Sequence, residues 1–135
     1  MIQMVKDSDT RPWFFLQTAH TTYGMWVMET GHLEHLYYGE RITVDSQDPA
    51  SCAPLVIQRV FAPGNTCTYD REHPQISMED VCLEVGTLGK GDFREPFLEV
   101  RFADGSVTSD FTFDSYEVIT LKEREQCLQD PGLPH

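Results

Sequence analysis

The residues with the clearest chemical potential lie in the stretch TGHLEHLYYGERI, residues 30–42. It places His32, Glu34 and His35 within four residues, and imidazole nitrogens and carboxylate oxygens are common ligands of zinc and related ions. On a helix, residues three apart share a face, whereas on a strand they point to opposite faces. The secondary structure of this stretch therefore decides whether a metal site is predicted.

Apolar and polar residues alternate on both sides of Thr30–Gly31, which is typical of a β-hairpin. A two-residue turn at these positions would pair Glu29 with His32 and Trp26 with His35. The strand period then separates the two histidines onto opposite faces, with one beside a glutamate at the turn and the other beside a tryptophan. We therefore predict neither a metal ion nor a cofactor.

The charge of the chain excludes several function classes. Its 135 residues include 22 Asp and Glu against 10 Lys and Arg, which gives a net charge of −12. Nucleic-acid binders and proteins that dock on anionic membranes need a positive surface, and the sequence has no basic cluster. It also contains no apolar run long enough to span a bilayer, and its N-terminus does not have the pattern of a signal peptide. We expect a cytoplasmic protein with no nucleic-acid or membrane partner.

The length favours a single domain, residues 1–135, because a chain of this size buries roughly two-thirds of its unfolded surface without covalent staples. The cysteines form no CxxC pair and match no common zinc spacing. They are Cys52, Cys67, Cys82 and Cys127. We expect reduced thiols, as in other cytoplasmic proteins.

Short strand-like segments bounded by Gly, Pro, Asp and Asn predict an all-β fold with little helix. They cover residues 13–18, 21–29, 32–39, 54–62, 97–103, 106–113 and 116–121. A second two-residue turn at Asp104–Gly105 would pair Phe102 with Val107 and place apolar residues on a core face. The segment 76–86 is ambiguous between strand and irregular structure, and a short helix over 121–128 is a further prediction. The glycine-rich GTLGKGD, residues 86–92, lacks the G-K-[ST] ending of a phosphate-binding loop and predicts a turn.

Two longer stretches resemble a known family. They are FFLQTAHTTYGMWVMETGHLEHLYYGERI and GKGDFREPFLEVRFADGSVTSDFTF. Their elements TAHTTY, GHLEHLYYG, GKGDFREP and DGS, in that order, are similar to the N-terminal region of bacterial α-galactosidases of glycoside hydrolase family 36. The resemblance implies an antiparallel β-sandwich, part of the β-supersandwich domain that precedes a catalytic (β/α)₈ barrel in that family. Thr22 and Phe97 depart from the family pattern, and the sequence ends at His135, near the middle of that first domain.

The resemblance also has implications for function. Retaining glycosidases use two carboxylates, and in this family both are aspartates of the barrel. We therefore predict no catalytic residue in this chain and interpret Asp92 as part of a local ion cluster. The implied role is non-catalytic, in support of the barrel and of subunit assembly in a retaining α-galactosidase, with the barrel and further copies of the chain as partners. The alternative is a stand-alone carbohydrate-binding module.

One substrate contact is implied by the same resemblance. In tetrameric members of the family, an acidic residue a few positions before an aromatic-x-Pro element reaches the galactose pocket of a neighbouring subunit. The corresponding element here is QRVFAPGN, residues 58–65, and the corresponding position is Gln58. An amide can hydrogen-bond a sugar hydroxyl although it carries no charge. Gln58 is therefore the candidate contact to an α-galactoside sugar.

Overall fold

A computed structural model describes residues 1–6, 11–59, 68–78, 80–92 and 95–119. Its centre is a four-stranded antiparallel sheet in which the strands follow chain order. The strands are β1 (Ile2–Lys6), β2 (Pro12–Gln17), β3 (Thr21–Val27) and β4 (Leu33–Glu40). A 3₁₀ helix spans Pro49–Leu55, and β5 (Thr87–Leu88) and β6 (Gly91–Asp92) form a second, small sheet. The predicted fold class, an all-β antiparallel sandwich with little helix, is confirmed.

One face of the large sheet packs on the segment that follows β4. Trp13 and Phe15 of β2 are buried there with Val5, Val44 and Cys52. The 3₁₀ helix that carries Cys52 is capped by Asp48, whose carboxylate accepts a hydrogen bond from the amide of Ala50. Because Pro49 at the first helical position needs no amide partner, the cap and the proline together start the helix.

The opposite face of the sheet contacts the last described segment. The ring of Phe14 lies 5.1 Å from that of Tyr116 and 6.0 Å from that of Phe113. Beyond β4, the segment 82–84 adds to the sheet, because the amide of His35 donates to the carbonyl of Cys82 and the amide of Glu84 donates to that of Leu33. The segment 76–86, which is ambiguous in the sequence, is therefore strand-like only where its backbone hydrogen-bonds to another segment.

The turn between β3 and β4 differs from the prediction. The amide of Met28 donates to the carbonyl of His32, and the amide of Gly31 donates to that of Met28. Three residues, 29–31, thus form the loop, and Gly31 has the positive φ of 85° that such a loop requires at its last position. Consequently Trp26 lies opposite Glu34 rather than His35.

This one-residue shift ends within the hairpin. Met25 lies opposite His35, whereas Gly24 lies opposite Tyr37, so Leu36 is an extra residue in β4. Beyond this β-bulge the pairing is the one that a two-residue turn would have given. The side chain of Leu36 packs against the buried cluster around Phe15.

The turn at Asp104–Gly105 has the same three-residue form. The amide of Phe102 donates to the carbonyl of Ser106, and Gly105 has φ of 86°, so the predicted pairing of Phe102 with Val107 is wrong. The carboxylate of Asp104 accepts hydrogen bonds from the amide and hydroxyl of Ser106, which fixes this longer loop.

The segments around that turn, 97–103 and 106–113, are not strands. The predicted hairpin would place Phe102, Ser109 and Phe111 on one core face, but Phe102 and Phe111 are each 46% exposed and of these three only Ser109 is buried. The amide of Phe113 instead donates to the carbonyl of Gly31, so this part of the chain packs on the β3–β4 hairpin. Residues 54–59 and 116–119 are not strands either, and the predicted helix at 121–128 lies outside the described residues.

Candidate functional site

His32 belongs to a buried hydrogen-bond network rather than to a metal site. One ring nitrogen lies 2.8 Å from the hydroxyl of Thr30, and the other lies 2.6 Å from Asp110 Oδ1. The hydroxyl of Tyr69 donates to Oδ2 of the same aspartate at 2.8 Å. The imidazole, which is buried, thus ties residue 110 to the turn of the hairpin, and the predicted contact with Glu29 is wrong.

The carboxylate of Asp110 should stabilise the fold in a pH-dependent way. Partial burial alone would raise its pKa, but hydrogen bonds from His32 and Tyr69 outweigh that effect and hold the pKa below the usual 3.8. A pKa lowered by folding contributes stability above its unfolded value, and that stability is lost as the pH falls through the folded value. Asp110→Asn should therefore reduce the free energy of unfolding more near about pH 6 than near about pH 3.

Urea unfolding at the two pH values tests this expectation. Asp114→Asn, which changes an exposed carboxylate four residues further on, is the matched control and should show a much smaller difference. An equal loss at both pH values for Asp110→Asn would contradict the role of its charge.

His35 lies in a second network on the edge of β4. Its Nδ1 is 3.2 Å from Glu84 Oε1, and the hydroxyl of Tyr23 donates to Glu84 Oε2 at 2.5 Å. Burial, followed by this hydrogen bond to the carboxylate, raises the pKa of Tyr23 to about 12. The imidazole packs at a tilt of 59° against the Tyr23 ring, with centroids 5.0 Å apart, so the predicted packing beside Trp26 is wrong.

Glu34 forms a buried ion pair with Arg59. Both carboxylate oxygens accept from the guanidinium, through Nη1 to Oε2 at 3.2 Å and through Nη2 to Oε1. The indole of Trp26 also donates to Glu34 Oε2 at 2.8 Å, and Arg59 Nη2 donates to the carbonyl of Asp80 at 2.9 Å. Within the described part of the chain, Arg59 Nε is buried and has no hydrogen-bond partner.

The side chains of His32, Glu34 and His35 therefore belong to three separate hydrogen-bond networks. Within residues 1–6, 11–59, 68–78, 80–92 and 95–119, no group of three or more His, Cys, Asp or Glu side chains could hold a metal ion. Cys52 is a buried free thiol and Cys82 an exposed one, while Cys67 and Cys127 lie outside the described residues. In the same ranges, no helix is long and apolar enough to cross a membrane.

A cleft of about 330 Å³ lies beside the Glu34–Arg59 pair, which we call the Trp26 cleft. Its lining residues are Arg11, Trp26, Met28, Glu29, Val56, Ile57, Arg59, Gln75 and Ile76. The guanidinium of Arg11 lies 5.9 Å from the centre of the Trp26 ring, and the amide of Gln75 donates to the carboxylate of Glu29. The cleft thus combines an indole with several planar polar groups.

Gln58 is exposed and lies between two lining residues of this cleft, Ile57 and Arg59. It follows the 3₁₀ helix, whose C-cap is Val56. The sequence did not indicate a role for Arg59, because an arginine between polar and apolar neighbours gives no sign of an ion-pair partner 25 residues away, here Glu34. The nearest signal was the alternation in β4, which places Glu34 on the same face as the apolar core.

A second concave surface, the Phe14 groove, lies on the face of the sheet that packs against residues 113–118. It has a volume of about 310 Å³. Its lining residues are Ile2, Phe14, Leu16, Met25, Leu33, Phe113, Ser115, Tyr116, Glu117 and Val118. Ile2, Leu16 and Val118 are 39–49% exposed, so apolar surface remains uncovered along the groove.

The glycine-rich segment forms a turn. The amides of Thr87 and Lys90 each donate to the carbonyl of the other residue, and Gly89 between them has φ of 78°. The side chain of Asp92, and with it the predicted ion cluster, lies outside the described residues.

Comparison with known proteins gives consistent matches. The sequence profile of the glycosyl hydrolase family 36 N-terminal domain matches residues 31–135. The bifunctional alpha-galactosidase/sucrose kinase AgaSK of Mediterraneibacter gnavus is 35% identical over 116 residues, and alpha-galactosidase AgaA of Geobacillus stearothermophilus is 28% identical over 122 residues. The matches cover 85% and 90% of this chain but 12% and 16% of the relatives, so the chain spans a small part of their length.

Solved structures agree with this result. The crystal structure of the alpha-galactosidase from Lactobacillus brevis matches with a TM-score of 0.65 and 30% identity, over 84% of this chain and 14% of that one. The galactosidase domain of AgaSK matches with a TM-score of 0.64, also at 30% identity, over 84% of this chain and 15% of that one.

Proposed function

Because this chain belongs to the family of glycosyl hydrolase family 36 N-terminal domains, which its match over residues 31–135 establishes, we propose that it acts as a non-catalytic β-sandwich domain in an α-galactosidase. Its role would be to support the catalytic barrel and the assembly of subunits. The observation that carries this proposal is the Phe14 groove, where the sheet presents apolar side chains to solvent. Exposed apolar patches on a sheet face commonly mark surfaces that another domain or subunit covers.

The engagement of the carboxylates supports a non-catalytic role. Glycosidases need one carboxylate that stays free to attack or to activate water and one that can donate a proton. In this chain Glu34 is held by an arginine and a tryptophan, Glu84 by a tyrosine and a histidine, and Asp110 by the same two residue types. These interactions favour a structural role for the three carboxylates.

The Phe14 groove predicts that residues 1–135, prepared by themselves, self-associate, since a second copy would cover the apolar side chains of the groove. Light scattering at high protein concentration should show a species larger than a monomer. Leu16→Glu, at a groove position that is 39% exposed, should shift the chain toward the monomer because it places a charge in the contact. Leu98→Glu, at a position that is 38% exposed and outside the groove, is the matched control and should not.

A monodisperse monomer at high concentration would count against a covered groove. The same preparation should not hydrolyse an aryl α-galactoside under conditions in which full-length AgaSK does. Turnover by the chain alone would overturn the non-catalytic assignment. These two readouts together separate a scaffold domain from an independent enzyme.

We propose that Gln58 contacts an α-galactoside in the assembled enzyme. Its amide is exposed and can both donate and accept a hydrogen bond. We also propose a cytoplasmic location, which rests on the free thiols of Cys52 and Cys82.

The second candidate function, a carbohydrate-binding module that acts by itself, is favoured by the polar and aromatic lining of the Trp26 cleft.

A further inference from the structure

Three rings lie together on one face of the sheet, beside the Phe14 groove. Tyr23 of β3 lies opposite Tyr38 of β4, with ring centroids 6.0 Å apart and ring planes tilted by 57°. The Tyr23 ring also lies 5.0 Å from the imidazole of His35. Met25, two residues after Tyr23 and therefore on the same face, lines the Phe14 groove. Tyr38 is 70% exposed, so a large aromatic side chain faces solvent here.

The carboxylate of Glu84 lies beside these rings and has acceptor capacity left. Its two oxygens have the hydroxyl of Tyr23 and the imidazole of His35 as partners. A carboxylate offers about four acceptor positions, so each oxygen can accept a further hydrogen bond. Because the side chain is 18% exposed, a group from outside can reach it.

A second carboxylate lies on the same face. Glu40 is exposed and follows Tyr38 by two residues on β4, so the two side chains share one side of the strand. The next residue, Arg41, is directed to the turn between β2 and β3, where its Nη1 donates to the carbonyl of Thr18 at 3.2 Å. We call this group of side chains the Tyr38 surface; it consists of Tyr23, His35, Tyr38, Glu40 and Glu84. It carries two carboxylates, in agreement with the net charge of −12 of the whole chain.

The half-buried ring of Tyr23 is suited to attract a cation. The face of a tyrosine ring is negative and binds the side chains of arginine and lysine, more often arginine. The hydrogen bond from Tyr23 to Glu84 adds electron density to the ring, which strengthens this attraction. Burial, followed by that hydrogen bond, raises the pKa of Tyr23 to about 12, so the phenol keeps its proton and its hydrogen bond at neutral pH.

We propose that the Tyr38 surface binds an arginine side chain of a partner protein, whose guanidinium packs on the rings of Tyr23 and Tyr38 and is attracted by the carboxylates beside them. A guanidinium stacks on aromatic faces and is less strongly hydrated than an ammonium group, so arginine loses less than lysine on leaving water. A neutral partner could use the rings but would leave the two negative charges without a counter-charge. The proposal goes beyond the proposed function and does not rest on it.

Titration of the chain with N-acetyl-arginine amide tests the proposal, with ¹H–¹⁵N NMR as the readout and the ionic strength held constant. The backbone amide signals of Tyr23 and Tyr38 should shift with half-saturation below about 50 mM, as expected for contact with a single side chain. N-acetyl-citrulline amide, which has the same shape but no charge, should cause no saturable shift. Absence of saturation with the arginine derivative, or an equal response to both compounds, would overturn the proposal.

Variants at Tyr38 make the test specific to the rings. Tyr38→Ala should weaken binding at least about threefold, whereas Tyr38→Phe, which keeps the ring, should change it less than about twofold. Phe97→Ala, which removes a ring that is 79% exposed and outside the Tyr38 surface, is the matched control and should leave binding unchanged. Equal weakening by Tyr38→Ala and Phe97→Ala would overturn the assignment. Both positions are exposed, so the variants should fold, and the chemical-shift dispersion checks this.

Glu84→Gln tests the role of the charge. The amide oxygen can still accept from Tyr23, so the rings should stay in place, but binding should weaken at least about threefold. Glu99→Gln removes an exposed carboxylate outside the Tyr38 surface and changes the net charge by the same amount, so its effect should stay below about 1.5-fold. Equal effects of the two variants would mean a general attraction to an acidic chain and would overturn the assignment to this surface.

The outcome is independent of the scaffold role. A chain that self-associates but shows no saturable shift with the arginine derivative would refute the proposal for the Tyr38 surface alone. A monomeric chain that binds the arginine derivative would count against the scaffold role and leave the proposal for the Tyr38 surface standing.

Discussion

Replacing Glu34 with alanine is expected to lower the free energy of unfolding by about 3–5 kcal/mol, the usual cost of removing one partner from a buried ion pair. The side chain of Glu34 is 2% exposed and that of Arg59 is 10% exposed. Without the carboxylate, the guanidinium would stay in a poorly solvated place with its charge uncompensated. The indole N–H of Trp26 would lose its acceptor as well.

Urea unfolding of the variant measures this loss. Glu40→Ala, at an exposed position on the same strand, is the matched control and should stay within about 0.5 kcal/mol of the original chain. The double variant Glu34→Leu with Arg59→Met should recover much of the loss, because it removes both charges and keeps apolar volume. A loss below about 1 kcal/mol for Glu34→Ala would mean that water replaces the carboxylate and that the pair is not buried.

Phe15→Ala should lower the free energy of unfolding by a similar amount, about 3–5 kcal/mol. The substitution removes a large side chain from the apolar core and leaves a cavity in its place. Phe15 is fully buried and belongs to the cluster that includes Trp13 and Val5. Its ring also covers Gly24 on the next strand, where an added Cβ would lie 3.0 Å from the ring. The ring therefore fills the space that the glycine leaves on this face of the sheet.

The control is Phe97→Ala, which removes the same side chain at a position that is 79% exposed. It should change the free energy of unfolding by no more than about 0.5 kcal/mol, as most surface substitutions do. Equal losses for the two variants would show that burial in this cluster is not what makes Phe15 important.

Strands β2, β3 and β4 were predictable because their information is local, whereas β1 was not predicted. Strands were predicted at 13–18, 21–29 and 32–39, and the structure has them at Pro12–Gln17, Thr21–Val27 and Leu33–Glu40. Runs of strand-forming residues separated by short turns are enough to define such strands. The register was missed because a Thr-Gly sequence serves both a two-residue turn and a three-residue loop with glycine at its end.

The later segments, 97–103 and 106–113, were wrongly predicted to be strands for a different reason. Residues 97–113 have the alternation of strands, but their main anchors are distant contacts, such as Asp110 to His32, which are 78 residues apart. Local pattern cannot show that a carboxylate will bind a buried imidazole instead of facing water. The residues around the Trp26 cleft share this difficulty, because Arg11, Trp26 and Arg59 meet only in the folded chain. Gln58 was reached through family resemblance and not from its own surroundings.

The extra residue in the loop 29–31 and the extra residue at Leu36 cancel each other, since the pairing beyond Gly24–Tyr37 is unaffected by either. In evolutionary terms both positions tolerate changes of length. A loop shortened to two residues would still close on Met28 and His32, and a chain without Leu36 would still pair Met25 with His35 and Gly24 with Tyr37. Neither change alone would carry the side chains of β4 to the other face. Among relatives of this domain, the lengths of the loop and of the bulge should therefore vary independently.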